Sequence, residues 1–414
     1  MDCAGSAANL PATNPVRMGE VKKIELKTEA DNLVAEFVTG EDLPAFSDAW
    51  AELETQCLEP NVFLGLGFAI SAARHLGKDE HISFLLIWDR REEKDRLVGF
   101  LPFVIGFGLP GFSLARAWLH DQAVLGTPLL DCSIASLVWQ RMIESLRSQY
   151  PQIYGLALPR LPRHGPTFTL LQEHMLCRGK KMHLCEMHER AVLYARKNPA
   201  DWNFLSRKKT KEMARLRRRL GEKGEVVYRQ AREPAAVRLA TEAFLTLEHE
   251  GWKGKRKTAL LASPARASFV REMTRSMAEA GKCRIDTLEV EDNPIAIGII
   301  LQMGSRAYFW KTVYDETFAA FSPGVLLTLE LTRAQLSDPN IAMSDSCAIP
   351  DHPMIDRLWR DRMSLVDVVV TISESNARLQ EVVFAAILRG DAGYRAVRAV
   401  IKSMLYKFTR RWRS

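Results

Sequence analysis

A chain of 414 residues, 47% hydrophobic and 26% charged, has the make-up of a soluble globular protein and the length for two domains. The longest uncharged stretch, 97–115, is broken by Pro102, Pro110 and four glycines, and "MDCAGSAANLPATNPVRMGE" has no charged stretch leading into an apolar one; neither a helical membrane span nor a secretory leader is expected, and the expectation is a cytoplasmic chain. The net charge of +7 belongs to one end, because 389–414 holds eight Lys or Arg against one acid, Asp391, which leaves the rest formally neutral.

Residues 1–25, rich in Ala, Asn, Pro and Gly without periodicity, read as a mobile leader. "LPAFSDAWAELETQC" and "FLGLGFAISAARHLG" then read as amphipathic helices, and "ISFLLIWD" and "RLVGFLPFVIG" as paired strands. "ASLVWQRMIESLRSQ" is a helix and "IYGLALPRLP" a buried strand, so a first α/β domain spans 26–190.

The pattern then begins again over 191–370. A basic helix, with eight cations and one acid between Ser206 and Arg219, precedes the strand "EVVYRQA" and the helices "PAAVRLATEAFLTLEHE" and "ARASFVREMTRSMAEAG". Three strands follow, turning at Asp292-Asn293 and Gly304-Ser305, and Ser322-Pro323-Gly324 opens an apolar helix. The expected class is α/β (α+β): tandem domains, each a mixed, mostly antiparallel sheet flanked by helices. A basic amphipathic helical tail, 371–414, closes the chain; its mixture of Val, Ile, Leu, aromatic and cationic residues suits peripheral contact with an inner membrane through 389–414, an acidic partner, or docking on its own core.

Several stretches carry candidate chemistry. Ser322 is a good N-cap, Pro323 suits the first helical position and Gly324 lets a ligand approach, so unpaired N–H groups there could hold an anion; an ordinary capped helix is the alternative. The spacing G-x-x-x-x-G-K-[ST] is absent. "FLTLEHEGWKGKRK" sets Glu248 and His249 beside Lys253, Lys255, Arg256 and Lys257, a possible acid/base pair with anion-binding groups, or a charged helix end before a solvated loop. His174, Cys177, His183, Cys185 and His188 are zinc-ligand types in an order that matches no usual finger, so no metal is expected. Asp345 and Cys347, with His352 and Asp356, make a Cys/His nucleophile conceivable. The seven cysteines form no C-x-x-C pair and read as reduced thiols.

The order "SRKKTKEMARLRRR", "FLTLEHEGWKGK" and "ALLASPARASFVREMTRSMAEAGKCRIDTLEVEDNPIAIGIILQMGSRAYFWKTVYDETFAAFSPGVLL" resembles the GNAT-type acetyltransferases of the CelD (BcsL) cellulose-biosynthesis group, relatives of the FemAB-like transferases. The resemblance covers 189–370 well and the preceding domain more loosely; of the family's Q/R-x-x-G-x-G/A it keeps Gly324, with Ala319 in place of the Gln or Arg. It implies that the strands before the Ser-Pro-Gly helix form a platform for acetyl-CoA or another acyl-CoA. Ser322, Gly324 and Val325 would then hold the donor, and backbone N–H groups around Ile297 and Ile299 the thioester oxyanion. Glu248 or His249, with Asp345, would act as base and Tyr314 as acid. The acceptor implied is an amine or hydroxyl of a small molecule, polysaccharide or cell-envelope precursor. Two alternatives stay open: a FemAB-like transferase whose donor is an aminoacyl-tRNA held by the basic helix, and a catalytically degenerate scaffold in an exopolysaccharide complex.

Overall fold

The computed structural model describes residues 32–372, apart from 78–79, 91–93, 108–112, 181 and 196–204. The leader over 1–25 and all but the first two residues of the tail over 371–414 lie outside the described residues. The first half runs β1 (Leu33–Val38), α1 (Ser47–Gln56), α2 (Leu66–Leu76), β2 (Ile82–Asp89), β3 (Arg96–Phe107), β4 (Ser113–Ala117), β5 (Leu129–Leu130), α3 (Ala135–Gln149), β6 (Ile153–Pro162), α4 (Pro166–Cys177) and β7 (Met182–Tyr194). The second runs α5 (Arg207–Gly221), β8 (Val226–Ala231), α6 (Pro234–Glu250), α7 (Trp252–Lys255), α8 (Pro264–Glu279), β9 (Cys283–Val290), β10 (Asn293–Met303), β11 (Arg306–Tyr314), α9 (Pro323–Ser337), β12 (Met343–Asp345), α10 (Ile355–Leu358) and β13 (Asp361–Thr371).

Local chemistry accounts for many of these boundaries. The Ser206 hydroxyl accepts the Lys209 N–H at the start of α5, and Ser263 accepts that of Arg266 at the start of α8, each satisfying an otherwise orphaned donor. Glu291 and Asp292 both take left-handed φ, 50° and 62°, the backbone a tight hairpin requires, and so join β9 to β10. β10 is apolar on both faces because helices or the other half of the molecule cover each side; α6 and α9 both pack on it.

All the described strands form one mixed, mostly antiparallel sheet, in the order β1-β2-β3-β4-β6-β13-β7-β12-β11-β10-β9-β8, with β5 beside β3. Reading inward from either edge gives the same pairings: three antiparallel contacts, one parallel pair (β4 with β6, β11 with β12), then two antiparallel contacts that meet at β13 and β7. This is the arrangement a duplicated unit produces. Each half nevertheless takes its innermost strand from the other: β7 follows the first half in sequence but pairs with β12, and β13 follows the second but pairs with β6. Residue 190 lies inside β7.

Three apolar clusters result. One is centred in the first half, around Trp139 and Phe103, with Val366, Val368 and Val370 of β13, and one in the second, around Phe309 and Trp359, with Ala191 and Leu193 of β7. The third is shared, with Phe63, Phe68 and Phe100 meeting Phe269, Tyr308 and Trp310. Thus one face of β11 is closed by the second half's own α9 and the other by both halves together.

Candidate active site

The site is built where β11 and β12 part. They pair only at Arg306–Met343, Ala307–Ser344 and Tyr308–Asp345, although β11 continues to Tyr314. Asp345 causes the parting. Its Oδ1 accepts the Cys347 N–H at 2.8 Å, Cys347 adopts a left-handed φ of 54°, and the Ser346 N–H bonds Ala191 of β7, so the chain turns from β11 at once. Its Oδ2 accepts the Arg190 guanidinium at 2.8 Å, a pair in which neither side chain is more than 2% exposed.

The freed edge of β11 carries open backbone groups. The Asp315 N–H donates to Ile295, so by antiparallel alternation Val313 turns its backbone groups to β10, whereas Thr312 and Tyr314 turn theirs to the edge that β12 has left. At the end of this edge α9 begins. The Ser322 N–H donates to Ala319, the Val325 and Leu326 N–H groups donate to Ser322, and Pro323 has none, so Gly324 keeps a free N–H among the described residues. Ser322 sits at the cap position with a left-handed φ of 54° and its side chain accepts nothing from the helix. It is therefore a bend rather than the side-chain cap expected, and Val325 is not a free donor. Arg219, at the end of α5, lies 5.7 Å from the Phe321 ring and brings a cation to the helix start that local sequence did not announce.

A β-bulge sets the opposite face. Lys311 pairs with Ile299 and Phe309 with Ile300, which leaves Trp310 as the extra residue in β11. The bulge breaks alternation, so Trp310 and Lys311 share a face, with the ammonium 4.8 Å from the indole ring centroid. The Trp310 indole N–H donates to the Gln122 carbonyl of the first half, and Tyr308 donates to Pro60. Burial presses the Lys311 pKa down to about 8, helped by Lys253 and Arg266, while Glu248 and Asp121 oppose the shift.

The expected site residues separate into two groups across this strand. Tyr314 and Gly324 come together on the α9 side, where a Cβ on Gly324 would stand 3.5 Å from the Tyr314 ring. Glu248 lies near Lys311 on the other, but both its oxygens are engaged: Oε1 accepts Lys253 Nζ at 2.6 Å and Oε2 the Leu260 N–H at 2.8 Å. It acts first as a clamp that ties α7 and the segment after it to the end of α6. We expect Glu248→Ala to lower stability by about 2 kcal/mol, from the stranded Leu260 N–H and Lys253, as read by urea unfolding; a change below about 0.5 kcal/mol would refute the clamp. His249 is exposed at the end of α6.

Ile297 and Ile299 are fully buried in β10, paired on one side with β11 and on the other with β9, so their N–H groups are committed to the sheet and cannot reach an oxyanion. The open groups belong to the neighbouring strand. Among the four cations after Glu250, Lys253 is tied to Glu248 and Lys255 to Glu316, which also accepts the Trp252 N–H. Cys347 and His352 are not a pair. The thiol is pushed well above its ordinary range by burial and by Asp345, and His352 Nδ1 accepts the Met354 and Ile355 N–H groups at the start of α10. His174 and Cys177 lie on α4 and His183, Cys185 and His188 on β7; among the described residues no three His, Cys, Asp or Glu side chains gather as metal ligands. Sequence reading missed Lys311 and Arg219, although a lysine directly after the buried Tyr308-Phe309-Trp310 was a visible break in an apolar strand.

Residues 207–343, from α5 to the start of β12, match the family described as Acetyltransferase (GNAT) domain. No curated protein matches the chain. Among solved structures, FemX superposes with a TM-score of 0.50 at 8% identity, over 81% of this chain and 96% of its own. A conserved protein of unknown function from Bacteroides thetaiotaomicron VPI-5482 gives 0.48 at 8% identity, over 82% and 99%. A tandem GNAT protein from the clavulanic acid biosynthesis pathway gives 0.38 at 13%, over 83% and 100%. At these identities the likeness to FemX is one of fold.

Proposed function

On the premise that residues 207–343 carry an acetyltransferase domain of the GNAT family, we propose that the protein transfers an acyl group from acyl-coenzyme A to an amine or hydroxyl. The observation that carries this reading is the parting of β11 from β12, which leaves the Thr312 and Tyr314 backbone groups beside a helix start with a free Gly324 N–H. An extended amide-bearing arm such as pantetheine can add to an open strand edge as another strand would. Its phosphates would meet the Gly324 N–H, the positive end of the α9 dipole and the Arg219 guanidinium. The acceptor would come from the face that holds Trp310 and Lys311. A polysaccharide or cell-envelope precursor is the acceptor that the resemblance to the CelD group suggests, and a cytoplasmic enzyme touching the inner membrane through 389–414 would meet one. Among the described residues no helix is long and apolar enough to cross a membrane.

Calorimetric titration with acetyl-CoA tests the donor. Micromolar binding is expected, retained by Gly324→Ala, whose Cβ makes only ordinary contact with Tyr314, and abolished by Gly324→Trp, which fills the helix start. A wild type that binds no acyl-CoA would sink the reading. The aminoacyl-tRNA alternative keeps one observation in its favour: α5 buries only Met213, Leu216 and Leu220 and turns Arg207, Lys208, Lys209, Lys211, Arg215 and Arg218 outward. Co-purifying tRNA released by salt would favour it. Binding of neither donor would leave the scaffold reading.

A further inference from the structure

Lys311 is a half-buried cation for which the described residues supply no counter-charge of their own. Among the described residues it faces Lys253 of α7, Glu248 of α6, Arg266 of α8, Asp121 of the loop after β4, and Cys347 after β12. Each carboxylate in this ring is held by another cation, Glu248 by Lys253 at 2.6 Å and Asp121 by Arg266 at 2.6 Å. Among the described residues no acceptor or carboxylate pairs with the Lys311 ammonium, which lies instead against the face of Trp310. A structural lysine in such a place would be expected to claim a partner, since an unpaired charge away from water is costly.

The bulge explains how a charge came to stand there. Without the extra residue at Trp310, alternation would turn residue 311 toward α9; with it, Lys311 points to the face shared by both halves, directly over the strand whose far edge is open. The donor-side groups (Tyr314, Gly324) and Lys311 thus lie on opposite faces of the same end of β11, with Thr312 and Val313 between Lys311 and Tyr314.

We propose that Lys311 Nζ, in its neutral form, is the base that takes the proton from the attacking amine or hydroxyl. This rests on the donor reading above. As the nucleophile's nitrogen or oxygen bonds to the thioester carbonyl carbon, its proton passes to the Nζ lone pair; the carbon–sulfur bond breaks, and the departing thiolate is protonated from Lys311 or solvent to give coenzyme A thiol. No oxidant or metal is needed.

Two measurements on the full-length protein test the assignment. Competitive acetylation with acetic anhydride between pH 6 and pH 11, read by mass spectrometry of the Lys311 peptide, should give a half-maximal reactivity near pH 8 rather than in the ordinary lysine range near 10.4. Thiol release from acetyl-CoA should fall about 100-fold or more in kcat for Lys311→Arg, which keeps the charge but accepts no proton in this range, while acetyl-CoA affinity changes by less than about threefold. Lys311→Met should lose as much, which guards against a folding defect peculiar to arginine. A midpoint near pH 10, or either variant turning over as wild type while still binding acetyl-CoA, overturns the role of Lys311 alone. A wild type that binds no acetyl-CoA removes the donor reading, and this step with it.

Discussion

Lys311→Met should make the protein more stable at pH 7, by about 3 kcal/mol, while removing its activity. A lysine whose pKa falls from 10.5 in the unfolded chain to about 8 in the fold holds its charge at a cost of about 1.4 kcal/mol per unit. The sign follows from proton binding: between pH 8 and pH 10.5 the unfolded chain binds more protons at this position, so wild-type stability gains from this group as pH rises through that window. The cost is fully present below pH 8 and gone above pH 10.5. Urea unfolding of both proteins should therefore give a difference of about 3 kcal/mol at pH 7, less the contact with Trp310, that shrinks to under about 1 kcal/mol at pH 10. A gain that does not vary with pH would mean that methionine merely packs better. No gain at all would mean that Lys311 is hydrated or paired in solution. A stabilising substitution that abolishes turnover is the pattern expected where a fold tolerates an unfavourable group for its chemistry.

Asp345→Ala should have the largest destabilising effect, about 3–5 kcal/mol, because it leaves the Arg190 guanidinium uncompensated in an interior where both partners are at most 2% exposed. The loss has a second component in the Cys347 N–H, whose acceptor disappears and with it the turn that parts β12 from β11. Asp345→Asn separates the two, since an amide oxygen can still accept from Cys347 while the charge is gone. The double replacement Arg190→Met with Asp345→Leu should recover much of the loss, as a buried pair replaced whole by apolar side chains leaves no stranded charge. Thermal unfolding measures all three. If the double variant is no more stable than Asp345→Ala, the pair is not the origin of the effect.

The Asp345 prediction marks a limit of local reading. The residue was legible as a candidate at a strand end, and as a candidate base; its partner, Arg190, lies 155 positions earlier and is brought beside it because β7 pairs with β12. Nothing in "MHLCEMHERAVLY" specifies that partner strand, since an alternating pattern fixes which face is buried and not which edge is joined. The exchange of β7 and β13 between halves is invisible for the same reason. The position of α9 was legible from Ser-Pro-Gly, because Pro323 and the apolar run after it act within one turn of helix. The conformation of Ser322 was not, since its left-handed φ comes from the preceding turn of chain, closed by the Ser322 N–H on Ala319.

The amino-acid sequence by itself determined most of the helices and strands and their order, though not β1, β4 or α4, because periodicity, caps and turns rest on interactions between residues a few positions apart. Tertiary structure decided the rest. It chose which strands meet at the centre, turned Ile297 and Ile299 from expected donors into ladder residues, engaged both oxygens of Glu248, and set Lys311 over Trp310 with no carboxylate partner among the described residues. Pairing partners, desolvation and the counter-charges within reach belong to segments distant in sequence, and only the folded chain sets the distances on which they depend.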